Sequence, residues 1–190
     1  MKARLSERRL NHVRGVAETA KKLAIKAGID PRRPELAGWL HDACKEEKDR
    51  WLIEQALDYG LLLHPVEEAH GHLLHGPVAA EVVKRKFEIE DEELLDAIRQ
   101  HTLGGVAMAP IAKIVFLADA AEPSRPDEYA RPIWHAIERE KELGCEKAYD
   151  LAVRVACDLS LDDLIRQGRV IHPKTVEVRN FYLNLTRNYQ

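Results

Sequence analysis

The chain has 190 residues, enough for one domain whose core needs no staples, and its 45% hydrophobic and 32% charged residues are those of a globular protein, not a disordered one. A net charge of -3, without a long basic block or a basic stripe interleaved with aromatics, gives no reason to expect a nucleic-acid partner. The start Met1–Leu5 is basic but no uninterrupted apolar stretch follows, and Cys44, Cys145 and Cys157 are an odd number in no zinc-like spacing. These features predict no signal segment, no membrane partner, and unbridged thiols in a reducing cytoplasm.

Aromatic residues make up only 6%, and Ala, Leu, Val, Glu, Lys and Arg dominate long stretches, which favours helices. Ser6 is a natural N-cap for a first helix whose Leu10, Val13, Ala17, Ala20 and Ala24 line one face, with Gly28 as the stop. A second helix is predicted from about Pro34 to Glu46 and a third from Asp49 to Tyr59, ended by Gly60. Leu61 to His75 is the least regular stretch. There His64, His70 and His72 read as loop histidines, and Glu67-Glu68 as a solvated face. Helical patterns follow at Pro77–Phe87, Asp91–His101 and Pro110–Ala121. Ile111–Ala118 is strand-like in composition, but its flanks and length suit a buried helix. Further helices are predicted over about Asp127–Leu143, Glu146–Gln167 and Thr175–Asn188. The fold expected is all-α.

Chemistry concentrates at a few positions. His12 lies on the apolar side of the first helix, and His41-Asp42 follow the apolar Leu36-Ala37-Gly38-Trp39-Leu40. His75 opens one helix and His101 closes another. Asp119 ends the very apolar Ile114-Val115-Phe116-Leu117-Ala118, where a carboxylate is costly to bury without a cation or strong donors. Each residue alone has an ordinary structural reading, and an HD dipeptide occurs often by chance. Together they form an ordered series, H…HD…H…H…D, each carried inward by an apolar segment. Mixed imidazole and carboxylate ligands suit iron, manganese or zinc better than magnesium. Trp39, Trp51 and Trp134 read as core or core-edge residues.

Four stretches resemble the HD superfamily of phosphohydrolases, and within it the bacterial HD-domain symmetrical diadenosine tetraphosphate hydrolases. They are His12-Val13-Arg14-Gly15-Val16-Ala17, Leu40-His41-Asp42-Ala43-Cys44-Lys45, His75-Gly76-Pro77-Val78-Ala79-Ala80, and His101-Thr102 leading to Lys113 through Arg125. The likeness extends to Ile171-His172-Pro173-Lys174-Thr175 and Glu177-Val178-Arg179-Asn180. It implies one HD domain over residues 1–190, with a metal-binding core of about residues 6–125 and C-terminal helices over about 127–190. It also implies that His12, His41, Asp42 and Asp119 hold iron, with manganese or another divalent metal as the alternative. His75 and His101 then either bind substrate phosphate or complete a second metal site bridged by Asp42.

The activity implied is symmetrical hydrolysis of a dinucleoside tetraphosphate to two ADP by metal-activated water. Asp42, Lys45, His75 and His101 are its catalytic candidates. Substrate contacts are expected from His12, Asp42, His75 and His101, and from Arg9, Thr102, Lys113, Asp119 and Arg125. The segment Arg169, Val170, Ile171, His172, Pro173 and Lys174 is expected to add more. Ala120-Ala121 departs from the bulkier pair, commonly Tyr-Ile, expected there, which bears on pocket shape. A phosphatase of nucleoside monophosphates or other phosphate esters, or a non-catalytic nucleotide sensor, would use the same residues, and a homodimer is compatible with all three.

Overall fold

The computed structural model describes residues 6–189; the basic start Met1–Leu5 lies outside them. Among the described residues there are helices and no strand. They are α1 (Glu7–Lys26), α2 (Arg32–Leu40), α3 (Asp49–Asp58), α4 (Pro65–Ala69), a 3-10 turn (Gly71–Leu74), α5 (His75–Phe87), α6 (Glu92–Gln100), α7 (Pro110–Ala121), α8 (Asp127–Glu138), α9 (Glu140–Leu143), α10 (Cys145–Arg166) and α11 (Pro173–Thr186). No described helix is long and apolar enough to cross a membrane.

Helix α7 is the axis of the molecule. Ile111, Ala112, Ile114, Val115, Phe116, Leu117 and Ala118 are all buried, and a helix apolar on every side is one surrounded by others. Against it pack α1, α2 and α6 on the N-terminal side and α8 and α10 on the C-terminal side, with α11 on α10. Helix α1 is capped by Ser6, whose hydroxyl accepts from the Arg9 N–H, and it buries Val13, Val16, Ala17, Ala20, Leu23 and Ala24 as one stripe. Its small residues let α2 come close. A Cβ on Gly38 would stand 2.8 Å from the Ala17 Cα, so only glycine fits this crossing without a shift.

Three boundaries differ from the sequence reading. The second helix stops at Leu40, and residues 41–46 run as tighter turns, with the Ala43 N–H on the Leu40 carbonyl and the Lys45 N–H on that of Asp42. The cause is local. The Gly38 carbonyl, which a continuing helix would offer to the Asp42 N–H, accepts from the His41 ring at 2.6 Å. The stretch Leu61–His75 contains α4 and the 3-10 turn. His64 starts α4 with a reciprocal cap, its ring accepting from the Val66 N–H while the Glu67 carboxylate accepts from the His64 N–H. The helix expected over Asp127–Leu143 divides into α8 and α9 at Arg139. Glu138 to Glu142 offers no apolar side chain to hold a continuous helix on the core.

Candidate metal centre

Five segments deliver the site. His12 comes from the second turn of α1, His41 and Asp42 from the turn after α2, and His75 from the first position of α5. His101 caps the C-terminus of α6, and Asp119 lies in the last turn of α7. Gly76 permits the junction of α5 and α6: a Cβ there would come within 3.0 Å of the Ile98 carbonyl and 3.1 Å of the His101 ring. His41 is 0% and Asp42 2% exposed, while Asp119 is partly open to a cleft. Candidate ligand atoms converge in three overlapping trios, each within 4.8 Å: His12, His41 and Asp42; His41, His101 and Asp119; Asp42, His75 and His101.

The backbone fixes how the rings face. His41, His75 and His101 each direct Nδ1 at the carbonyl three residues back, on Gly38 at 2.6 Å, His72 at 2.6 Å and Ile98 at 2.8 Å. A carbonyl only accepts, so each Nδ1 donates and each Nε2 is turned to the interior, where the neutral ring offers its lone pair. His12 follows the same rule with a carboxylate, its Nδ1 lying 2.9 Å from Glu122 Oε1. Asp42 divides its oxygens: Oδ2 faces His12 at 3.6 Å and His41 at 3.5 Å, and Oδ1 faces His75 at 3.4 Å and His101 at 3.5 Å. One carboxylate facing two imidazole pairs has the form of a bridge.

These residues fit a cation. Nε2 of His41 is buried without a hydrogen-bond partner, an expensive state for a lone pair unless something positive meets it. Nε2 of His75 and of His101 stand 2.9 Å apart, so two lone pairs confront each other unless a proton or metal ion is shared or lies beside them. His12 sits between carboxylates, with Nε2 3.1 Å from Asp119 Oδ1. Burial opposes ionisation of Asp42, but His41, His101 and His75 outweigh it and hold the carboxyl far below its ordinary range. Burial likewise opposes the charge on Asp119, which His12 and Arg125 overcome in the same direction. An imidazole and carboxylate set without thiolate is suited to a divalent transition metal.

Charged and polar groups surround the cluster. Arg9, one turn before His12 on α1, donates to Asp42 at 2.6 Å, and Arg125 donates to Asp119 at 2.5 Å. The Thr102 hydroxyl lies 3.0 Å from His75 Nε2 and 3.1 Å from His101 Nε2. Lys45 Nζ stands 3.3 Å from His75 Nε2; burial lowers its pKa against the pull of Asp42. Burial also pushes His75 down to about 4, so its ring is neutral near pH 7.

Beside the cluster opens a cleft of about 550 Å³ lined by His101, Thr102, Asp119, Arg125 and Arg169 and, opposite, by Tyr129 and α10. Ala120 lines it too, so the small side chain widens the pocket, whereas buried Ala121 lies at a different recess with Pro123 and Trp134. Val170 and His172 do not touch the cluster; with His70, His72, Leu103, Leu164 and Arg169 they line a neighbouring recess of about 270 Å³. Pro173 and Lys174 form the first turn of α11, capped by His172, with Ile171 just before it. Lys113 is placed elsewhere. It pairs with buried Asp150 at 2.5 Å and lines a separate cavity with Ala27, Ile29 and Tyr149. From position 113 to Asp119 is six residues, which on a helix also turns the side chain away.

Sequence reasoning gave no role to Glu122 or to Tyr129, Ser160, Asp163 and Gln167 of the cleft wall. Ser160, Asp163 and Gln167 recur at helical spacing, but nothing in the sequence says that this face of α10 looks toward the end of α7.

A helical fold that gathers His, His-Asp, His, His and Asp from separate helices around one point defines an HD domain. The HD domain family matches residues 9–124, and the chain belongs to it. It is similar to the symmetrical bis(5'-nucleosyl)-tetraphosphatase of Staphylococcus aureus, 34% identical over 181 residues that cover 95% of this chain and 90% of that protein. The protein of the same name from Halalkalibacterium halodurans is 41% identical over 128 residues, covering 66% of each. A solved structure from Clostridium acetobutylicum, described as a "predicted HD superfamily hydrolase involved in NAD metabolism", superposes with a TM-score of 0.87 at 29% identity, covering 95% of this chain and 92% of that one.

Proposed function

We propose that this protein hydrolyses bis(5'-nucleosyl) tetraphosphates symmetrically, diadenosine tetraphosphate giving two ADP. The observation that carries the reading is the pair of ligand trios that share His41, one with His12 and Asp42 and the other with His101 and Asp119, beside a cleft into which Arg125 and Arg169 open. Similarity over almost the whole length to proteins named for this reaction supports it. Iron is the metal we assign to these four residues, with His75, His101 and bridging Asp42 as a second position. We place the enzyme in the cytoplasm, which an odd number of cysteines in no zinc-like spacing favours.

When bound, a divalent ion of this kind lowers the pKa of water and draws charge from a phosphoryl oxygen. The chain does the remaining work. Arg125 and Arg169 in the cleft neutralise the anionic substrate and orient it. Water adds to one central phosphorus, the bridging P–O bond between the second and third phosphates breaks, and a proton must reach the departing ADP. Lys45, whose Nζ stands 3.3 Å from His75 Nε2 at the edge of the cluster, is the cationic group we assign to donate to that leaving oxygen. Asp42 is ionised, and its two oxygens hold the imidazole pairs in register.

Product identification by anion-exchange chromatography tests the proposal. ADP as the sole nucleotide released from diadenosine tetraphosphate is expected. AMP with ATP, or turnover of mononucleotides alone, would refute it.

A further inference from the structure

We infer that Glu122 is the positioning residue of the metal centre, holding His12 in its ligating tautomer, and that Gly15 is glycine to make room for it. The inference rests on reading the cluster as a metal centre. His12 is the only histidine of the four whose Nδ1 has no backbone carbonyl to donate to; its partner is Glu122 Oε1, at 2.9 Å. Glu122 belongs to the residue just past α7, 110 positions away in sequence, and is 1% exposed. A carboxylate buried so deeply, and so far along the chain, is not there to solvate a helix end.

The carboxylate is itself fixed. The Ser124 N–H donates to Oε2 at 2.8 Å, and the Ser124 hydroxyl donates to Oε1, the oxygen that faces His12. Pro123 between them makes the turn stiff. On the far side, a Cβ on Gly15 would fall 2.6 Å from Glu122 Oε2. Gly15 is mid-helix, where glycine costs roughly 0.5–1 kcal/mol relative to alanine, so space for the carboxylate offsets a local loss. The turn from Asp119 to Arg125 therefore supplies one candidate ligand, its arginine partner, and the group that aims a second ligand on another helix.

A carboxylate accepting from one ring nitrogen keeps the lone pair on the other and raises its basicity as a ligand, and loss of such partners typically lowers metal affinity by about 10–100-fold. The test measures affinity of the whole protein for Mn(II) alone, and for Fe(II) without oxygen, by competition with a chelator, together with the melting temperature of the metal-free forms. E122A is expected to bind either metal about 10–100-fold more weakly. E122Q, whose amide oxygen still accepts from Nδ1–H, should lose less. G15A should weaken binding in the same way although it removes no polar atom and favours the helix. Wild-type affinity in E122A and G15A, with only the melting temperature of the metal-free protein changed, would overturn the inference and show a purely structural carboxylate. Wild-type protein that binds neither metal would instead overturn the metal-centre reading, and this inference with it.

Discussion

At the residue scale, tautomers organise the site. A histidine at the end or start of a helix can fold its ring back on a carbonyl three residues earlier, and His41, His75 and His101 all do. That local bond sets which nitrogen faces inward, but no sequence signal announces it; the HD dipeptide and the two isolated histidines were legible as candidates only through their ordered series. Asp119 stood out because a carboxylate ending so apolar a helix either surfaces or finds a partner, and here it is partly open to the cleft and paired with His12 and Arg125. Lys113 was not separable from Lys45 by residue type; only the direction of α7 sends it to Asp150. Lys45→Met should lower kcat by about 10²-fold with KM little changed, because the ammonium is used where charge develops. Steady-state kinetics decide this, and an increase in KM alone would reassign Lys45 to substrate binding.

At the element scale, helices with strong periodic faces could be placed from sequence, and their ends less well. The break after Leu40 depends on a side chain taking a backbone acceptor, and the separation of α8 from α9 on a run without an apolar anchor. Neither is a matter of helix propensity. The α1–α2 crossing should be intolerant of bulk: Gly38→Ala is expected to cost roughly 1–3 kcal/mol in urea denaturation, as overpacking does. An unchanged midpoint would mean that the two helices separate at little cost.

Helix α11 offers a pH test. Its N-cap is the His172 ring, which accepts from the Lys174 N–H at 3.1 Å and therefore must lack a proton on Nδ1. Burial lowers the His172 pKa against the attraction of Glu67, with His64 and Lys174 also facing it. The unfolded chain, with a histidine pKa of about 6.5, then binds the proton more readily than the folded one. The stability from this group is thus present above about pH 6.5 and is lost as pH falls below it. Metal-free wild type should lose stability between pH 7.5 and about 5 more steeply than His172→Asn, whose amide caps without titrating. Parallel curves would remove His172 from the balance.

At the scale of the whole molecule, the centre joins α1, the turn after α2, α5, α6 and α7, so a cation there acts as a cross-link between helices that the core already packs together. An all-α fold was readable from composition and periodicity. The meeting of distant helices was readable only through the ordered motif, since no local signal tells α1 that it will face the end of α7. Binding to the folded state alone should raise stability by about 2.7 kcal/mol at a free metal concentration one hundred times Kd. Chelator-treated protein should accordingly melt lower and recover on adding metal, and equal melting curves would place the ion outside the fold's energetics.

The most direct measurement is an anomalous-difference map from crystals grown without oxygen in the presence of Fe(II), collected at the iron edge. A peak within bonding distance of His12 Nε2, His41 Nε2 and the carboxylates of Asp42 and Asp119 is expected. A clean map at that point, or iron bound only at surface histidines such as His70 and His72, would contradict the metal centre and the hydrolytic reading built on it.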